Sequence, residues 1–141
     1  MKKIAFTLNV IPTAQARPRF SRHGSFVKTY KSESQEANER TLEALLAPYA
    51  PEKPLEGSVT LLFTATFPIP RSTSKRRREA MLGGKIKHTS KPDLDNLAKQ
   101  LKDCLTRLQF WHDDKQVYKA IMRKRYGEAG QWSVCLLAND D

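Results

Sequence analysis

Cysteine is scarce in this chain: Cys104 and Cys135 are the only two among 141 residues. They show neither CxxC spacing nor a nearby histidine pattern, which speaks against a zinc site and against a disulfide framework. Two ordinary reduced thiols in a cytoplasmic protein are expected. Long apolar runs are missing too. No stretch approaches the roughly 20 residues that span a bilayer, so no membrane-embedded role is expected. The start, Met1-Lys2-Lys3, is basic, but Ile4 to Val10 alternates apolar with polar residues and no small-residue cleavage site follows; a secretory signal is therefore not expected. There is no internal repeat and no long low-complexity tract.

Acidic residues are the third shortage. Fifteen Asp and Glu stand against 25 Lys and Arg, a net charge of +10, with a sequence pI of about 9.8. Such a chain is surrounded by a positive field at any cellular pH, which attracts DNA, RNA or an anionic membrane face without choosing among them. The 39% apolar content supports a modest core, and the length suits one domain over residues 1–141.

Periodicity places the elements. Lys3 to Val10 alternates as a half-buried strand, with Ile4, Phe6, Leu8 and Val10 on one face. Residues 13–31 are loop-like and basic; Gly24 marks a turn, and Phe26 to Tyr30 is a short strand. Ser32 to Ala47 is a helix, with Ser32 and Gln35 set as a capping box and Pro48 as its stop. Ser58 to Phe67 is a strong strand. Ser72 to Leu82, which contains the Lys75-Arg76-Arg77-Arg78 run, is a short helix closed by Gly83-Gly84. Asp93 to Leu108 carries the stripe Leu94, Leu97, Leu101, Leu105 and Leu108 and is the second clear helix. Lys115 to Tyr126 and Gln131 to Leu137 are two more strands. The whole reads as a small α+β domain of about five strands and two or three helices.

The acidic residues that do exist are unevenly placed. Asp93, Asp95, Asp103, Asp113 and Asp114 fall within the Lys91–Asp114 segment, set inside an otherwise basic chain. Carboxylates beside a cationic patch repel a polyanion, and close pairs repel each other by about 1 kcal/mol at 4 Å in water and by more near a protein surface. A divalent cation is the usual offset. Each cluster also has a plain structural explanation. Pro92 disfavours helix at Lys91, so Asp93 and Asp95 stand where aspartate caps a helix, and Asp113-Asp114 could be a solvated loop before a strand. Taken together they suggest more. The helix between them could fold back to bring Asp114 near its start, and carboxylates there would bind Mg²⁺ through a few oxygens. Lys99, one turn beyond Asp95, would offset transition-state charge on a phosphodiester; alternatively it forms an Asp95–Lys99 surface pair worth ~0.3–0.5 kcal/mol.

The strings K-P-D-L-D-N-L-A-K from Lys91 to Lys99, L-K-D ending at Asp103, and W-H-D-D-K-Q-V from Trp111 to Val117 closely resemble the RusA family of Holliday junction resolvases of bacteria and their prophages. The resemblance is strong over residues 91–117. It extends weakly to the N-terminal strand, the Arg17-Pro18-Arg19-Phe20 loop and the helix that follows. It implies a small α+β fold with a mixed sheet and a homodimeric, Mg²⁺-dependent endonuclease, with Mn²⁺ able to substitute and no small-molecule cofactor. Such an enzyme makes paired symmetric nicks in four-way junction DNA during recombination and repair, in the bacterial cytoplasm at the nucleoid. By position, the catalytic residues are Asp93, Asp95, Lys99 and Asp114. Asp93, Asp95 and Asp114 are the metal ligands, and Asp113 is an additional candidate.

Candidate DNA contacts are Arg17, Arg19, Lys28, Lys31, Arg76, Lys87 and Lys91, through phosphates. Phe20, Phe26 and Tyr30 either stack on unpaired bases or serve the core or a dimer interface. Trp111 and Trp132 are expected in the core, and His112 sits at a variable position. The basic run at 75–78 looks like an insertion relative to compact family members. The competing expectations are a noncatalytic basic nucleic-acid-binding protein and a nuclease that prefers flaps or forks.

Overall fold

Alternating sequence becomes strand and the leucine stripe becomes helix in a computed structural model, which describes residues 1–14, 19–24, 26–30 and 33–141, with the backbone alone for residues 19–23 and 26–30. In chain order the elements are β1 (Lys2–Leu8), β2 (Arg19–His23), β3 (Phe26–Tyr30), α1 (Glu33–Leu46), β4 (Val59–Pro68), α2 (Lys75–Leu82), α3 (Leu94–Arg107), β5 (Val117–Gly127) and β6 (Gln131–Ala138). Single 3₁₀ turns cover Ala47–Tyr49 and Asp114–Gln116. The four-stranded sheet has the order β1-β6-β4-β5. Strand β6 runs antiparallel to both β1 and β4, and β5 runs parallel to β4. The sheet is therefore mixed, as the resemblance implies, and the domain is α+β.

The strands expected, about five, are all present, with one short strand in addition. Strands β2 and β3 form a separate antiparallel hairpin, paired from Arg19↔Tyr30 to His23↔Phe26. The expectation of loop at 19–23 misses β2 because its own residues carry no clean alternation. Its pairing comes from β3, which folds back through Gly24 at φ 61°, a backbone state glycine adopts without steric penalty. The capping box read at Ser32 lies outside the described residues.

One face of the sheet makes the core. Leu61, Phe63, Ala65 and Phe67 of β4, Trp132, Val134 and Leu136 of β6, and Phe6 and Leu8 of β1 are buried. Against them pack Leu42 and Leu46 of α1 and Leu97, Leu101, Cys104 and Leu105 of α3. Phe63 meets Trp132 edge-on, with ring centroids 5.3 Å apart. Both tryptophans are buried, as expected. Burial pushes the Cys104 thiol up to about 12, so it acts as a packing group and not as a nucleophile.

A smaller aromatic stack closes the β5 end of the sheet. His88, buried on the segment between α2 and α3, lies on Phe67 with centroids 4.2 Å apart and against Tyr126 at 4.9 Å. Burial, followed by the nearby Lys124 charge, holds its pKa below the ordinary 6.5. The unfolded chain therefore binds more protons than the native one below about pH 6.5, and stability drops as the pH falls through that region. Thermal melts between pH 7.5 and 5 should show a shallower acid loss in His88→Phe than in the parent chain; parallel curves would refute the assignment.

Candidate active site

The start of α3 is built by the residues before it. The Lys91–Pro92 peptide is cis, and Asp93 is the extended N-cap residue, φ −70° and ψ 148°. Its carbonyl accepts from the Leu97 N–H at 3.0 Å, but its carboxylate makes no cap hydrogen bond. The capping explanation thus accounts for the position of Asp93 and not for its side chain. From there a stripe runs down the helix at four-residue spacing through exposed Asp95 and Lys99 to half-buried Asp103, about 6 Å per step. Asp93, Asp95 and Lys99 are solvent-exposed.

Lys99 turns to the residue below it. Its Nζ lies 3.0 Å from Asp103 Oδ1, so the ion pair forms with Asp103 and not with Asp95. The hydrogen bond and charge of Asp103, with a further contribution from Asp114, raise the Lys99 pKa. Lys99 is therefore an ammonium throughout the physiological range. It can neutralise anionic charge but cannot act as a base.

The second cluster is held by a single glutamine. Trp111 is buried, donates from Nε1 to Thr106 Oγ1 at 2.7 Å, and pairs with Leu55 in an isolated parallel bridge. Beyond it, Gln116 Oε1 accepts from the N–H groups of His112 (2.7 Å) and Asp113 (3.0 Å). Gln116 Nε2 donates to the carbonyls of Leu55 (2.9 Å) and Gly57 (3.0 Å). Asp113 completes the capping box by accepting from the Lys115 N–H at 2.9 Å, which holds its carboxyl below the usual range. The two neighbouring aspartates therefore differ in use. Asp113 closes the turn, while Asp114, half-buried, comes within electrostatic reach of Lys99.

Asp95 and Lys99 thus share the outer side of α3, Asp114 lies within electrostatic reach of Lys99, and Asp93 stands at the head of the helix. Hard carboxylate oxygens of this kind suit Mg²⁺ or Mn²⁺. Among the described residues no three Asp, Glu, His or Cys side chains already close on a common point. Of the candidate DNA contacts, Lys91 is exposed beside Asp93, Arg76 is exposed on α2, and Lys87 is exposed on the following segment. Arg19 and Lys28 stand on the backbone of the β2–β3 hairpin, where side chains are outside the description, as are those of Phe20, Phe26 and Tyr30. Arg17 and Lys31 lie outside the described residues altogether. The His112 ring pairs with Glu56 at 2.8 Å.

Three participants escape sequence reasoning. Asp103 could have been found from its i,i+4 relation to Lys99. Gln116 stands in the motif but carried no assigned task. Lys124 gave no signal. Its Nζ reaches across from β5 to the carbonyls of Ser90 (2.8 Å) and Pro92 (3.0 Å), tying down the segment that delivers Asp93.

Comparison with known proteins bears on this site. The family model described as Endodeoxyribonuclease RusA matches residues 9–135. "Uncharacterized protein YqaN" of Bacillus subtilis (strain 168) is 32% identical over 130 residues, 91% of each chain. "Crossover junction endodeoxyribonuclease rusA" of Lactococcus phage r1t is 30% identical over 112 residues, 79% of each chain.

Two substitutions test the scaffolding. Gln116→Leu leaves two N–H groups and two carbonyls without their partner and should lower stability by about 1–3 kcal/mol in denaturant titration. Lys124→Met should speed amide exchange across residues 88–95 while β4 and β6 keep their protection; uniform protection would show that Lys124 holds nothing in place.

Proposed function

The chain belongs to the endodeoxyribonuclease RusA family, and from that premise we propose that it resolves four-way DNA junctions by paired, symmetric, metal-dependent nicks. The observation that carries this reading is the placement of a permanently charged lysine, Lys99, near Asp114 and one turn from Asp95. A protein that only grips phosphates gains nothing from carboxylates at that point. Asp93, Asp95 and Asp114 would hold Mg²⁺, with Mn²⁺ able to substitute; such an ion, when bound, supplies Lewis acidity at the phosphate and an acidified water. Lys99 offsets the negative charge that builds on the phosphate oxygens as the P–O bond breaks. Asp113 and Gln116 keep Asp114 in place, and Lys124 keeps Asp93 in place.

A four-way junction has two-fold symmetry, so a homodimer presents one site to each of two opposed strands. The setting is DNA recombination and repair in the bacterial cytoplasm, with one endonuclease domain over residues 1–141. No described helix is long and apolar enough to cross a membrane.

Incubation with a mobile junction, a flap, a fork and a linear duplex in Mg²⁺ tests the reading. The junction should be cut in preference, at symmetric positions, and a preference for flaps or forks would overturn the assigned substrate. Asp95→Asn should abolish nicking while junction binding is kept or tightened, because one repulsive charge is gone. Lys99→Met should slow nicking about 10²–10³-fold, the usual effect of removing one group that stabilises transition-state charge. Near-parental rates in either variant would remove that residue from the mechanism.

A further inference from the structure

We propose that the outer face of the sheet, on the side away from α1 and α3, is a docking surface for an acidic amphipathic helix of another protein. The strand register sets four apolar side chains in one row across that face. Leu62 of β4 stands between Ile121 of β5 and Cys135 of β6, and Cys135 pairs with Ala5 of β1. Leu61, Phe63 and Ala65 of β4 are buried in the core with the helices, so alternation turns Leu62 and its row outward. Ile121 is 47% exposed, and Ala5 is exposed at the other end, with Leu62 and Cys135 half-buried between them.

A sheet that turns one face to water keeps polar residues on it. Thr7, Thr60, Thr64 and Ser133 follow that pattern on the outer face, and the row breaks it. Apolar residues scattered singly over a surface need no explanation, but a row in register across four strands is contiguous, and contiguous apolar patches mark interaction sites. The row borders a depression of about 160 Å³, lined by Leu62, Ile121 and Cys135 together with Thr64, Arg123 and Ser133, which can seat an apolar side chain of a partner. At a strand spacing of about 4.8 Å the row is about 14 Å long, the length of roughly ten helical residues. A strand added at an edge cannot match a row that crosses the strands, whereas a helix laid over the face can.

The rim selects the charge of the partner. Lys3 lies at the β1 edge of the face, Lys119 and Arg123 lie at the β5 edge, and no Asp or Glu stands at a paired outer position of the four strands. Among the described residues none of these three cations is in an ion pair. A second copy of the chain would bring the same cations together across a two-fold axis, where like charges repel. A DNA duplex is held through its phosphates, which an apolar row cannot grip, and α3 packs on the opposite face of the sheet. A helix with one apolar stripe and carboxylates along its margins meets both the row and the rim. Docked there, it leaves Asp93, Asp95 and Lys99 uncovered, so the partner recruits the chain without blocking its site.

The probe is a fluorescein-labelled helical peptide of about 18 residues, with leucine at i, i+3, i+4 and i+7 spacing and glutamate on both flanks, read by anisotropy against the full chain. It should bind the parent saturably, and a peptide of equal charge with glutamine for leucine should bind at least about tenfold more weakly. Ile121→Asn, which changes no charge, should weaken the leucine peptide at least about tenfold, the loss expected of a central anchor. Lys119→Gln/Arg123→Gln should do the same and flatten the salt dependence. Lys53→Gln/Lys75→Gln removes equal charge from exposed positions outside the sheet and should change affinity less than about twofold. No binding to the parent, equal binding of the two peptides, or equal losses in the two charge pairs would overturn the proposal. Ile121→Asn should also hold a labelled four-way junction in EDTA as tightly as the parent and show the parent's mass in light scattering. Weaker junction binding would give the face to DNA and a lower mass would give it to a second copy, and either overturns the helix. If Ile121→Asn melts well below the parent, Lys119→Gln/Arg123→Gln and the peptide pair carry the test. None of these readouts depends on nicking, so the docking face and the proposed function stand or fall separately.

Discussion

Burial of one face of α3 against the sheet is the constraint on which the site depends. Leu97, Leu101, Cys104 and Leu105 are fully enclosed, and each large apolar side chain so buried contributes about 1.5–3 kcal/mol. With that face fixed, the rotation of the helix is fixed. Asp95, Lys99 and Asp103 then have no choice but to line the outside at four-residue spacing. The same packing seats Phe110 and Trp111 under the end of α3, so the chain re-emerges with Asp113 and Asp114 alongside the exposed stripe. Lys99 stays exposed although Ala98 and Gln100 on either side of it are buried.

On that stripe electrostatics assigns the roles. Asp103 and Asp114 give Lys99 a firm positive charge, and it serves them as a partial counter-charge. The arrangement is unbalanced, with more negative than positive charge in a chain whose sum is strongly positive. Under the proposed function, a hard divalent cation together with a phosphate would complement that excess without burying any of the groups. The division between Asp113 and Asp114 follows the same economy of contacts. A carboxylate that already accepts a backbone N–H to close a turn is a poorer candidate ligand than its neighbour Asp114, which lies within electrostatic reach of the lysine.

What was legible in the sequence depended on the range of the interaction. The α3 stripe and the alternation of β4 and β6 are local patterns, and the elements they predict match the structure to within a residue or two. The acidic segment is legible as well, because unlike charges stand out against a basic background. The short hairpin strand β2 was not legible, since its partner β3 and not its own pattern makes it a strand. Lys99 offered two carboxylates at equal helical spacing, Asp95 and Asp103, and sequence alone could not choose between them. Lys124 and Gln116 act on backbone carbonyls more than 30 and more than 55 residues away, a kind of contact that leaves no trace in periodicity or composition.

The sheet topology explains why opposite charges end up side by side. Strands β4 and β5 are parallel neighbours, and parallel neighbours need a crossover. Here the crossover contains everything from Ile69 to Gln116, including the basic helix α2 and the acid-bearing helix α3. Both must return to β5, which therefore meets the end of α2 on its outer edge while Lys124 reaches the residues that lead into α3. A single edge strand thus touches both the basic helix α2 and the acid-bearing helix α3. The excess of basic residues and the clustering of acidic ones, which look like separate traits along the chain, are brought together by one parallel strand pair. Moving β5 to any other position in the sheet would separate them.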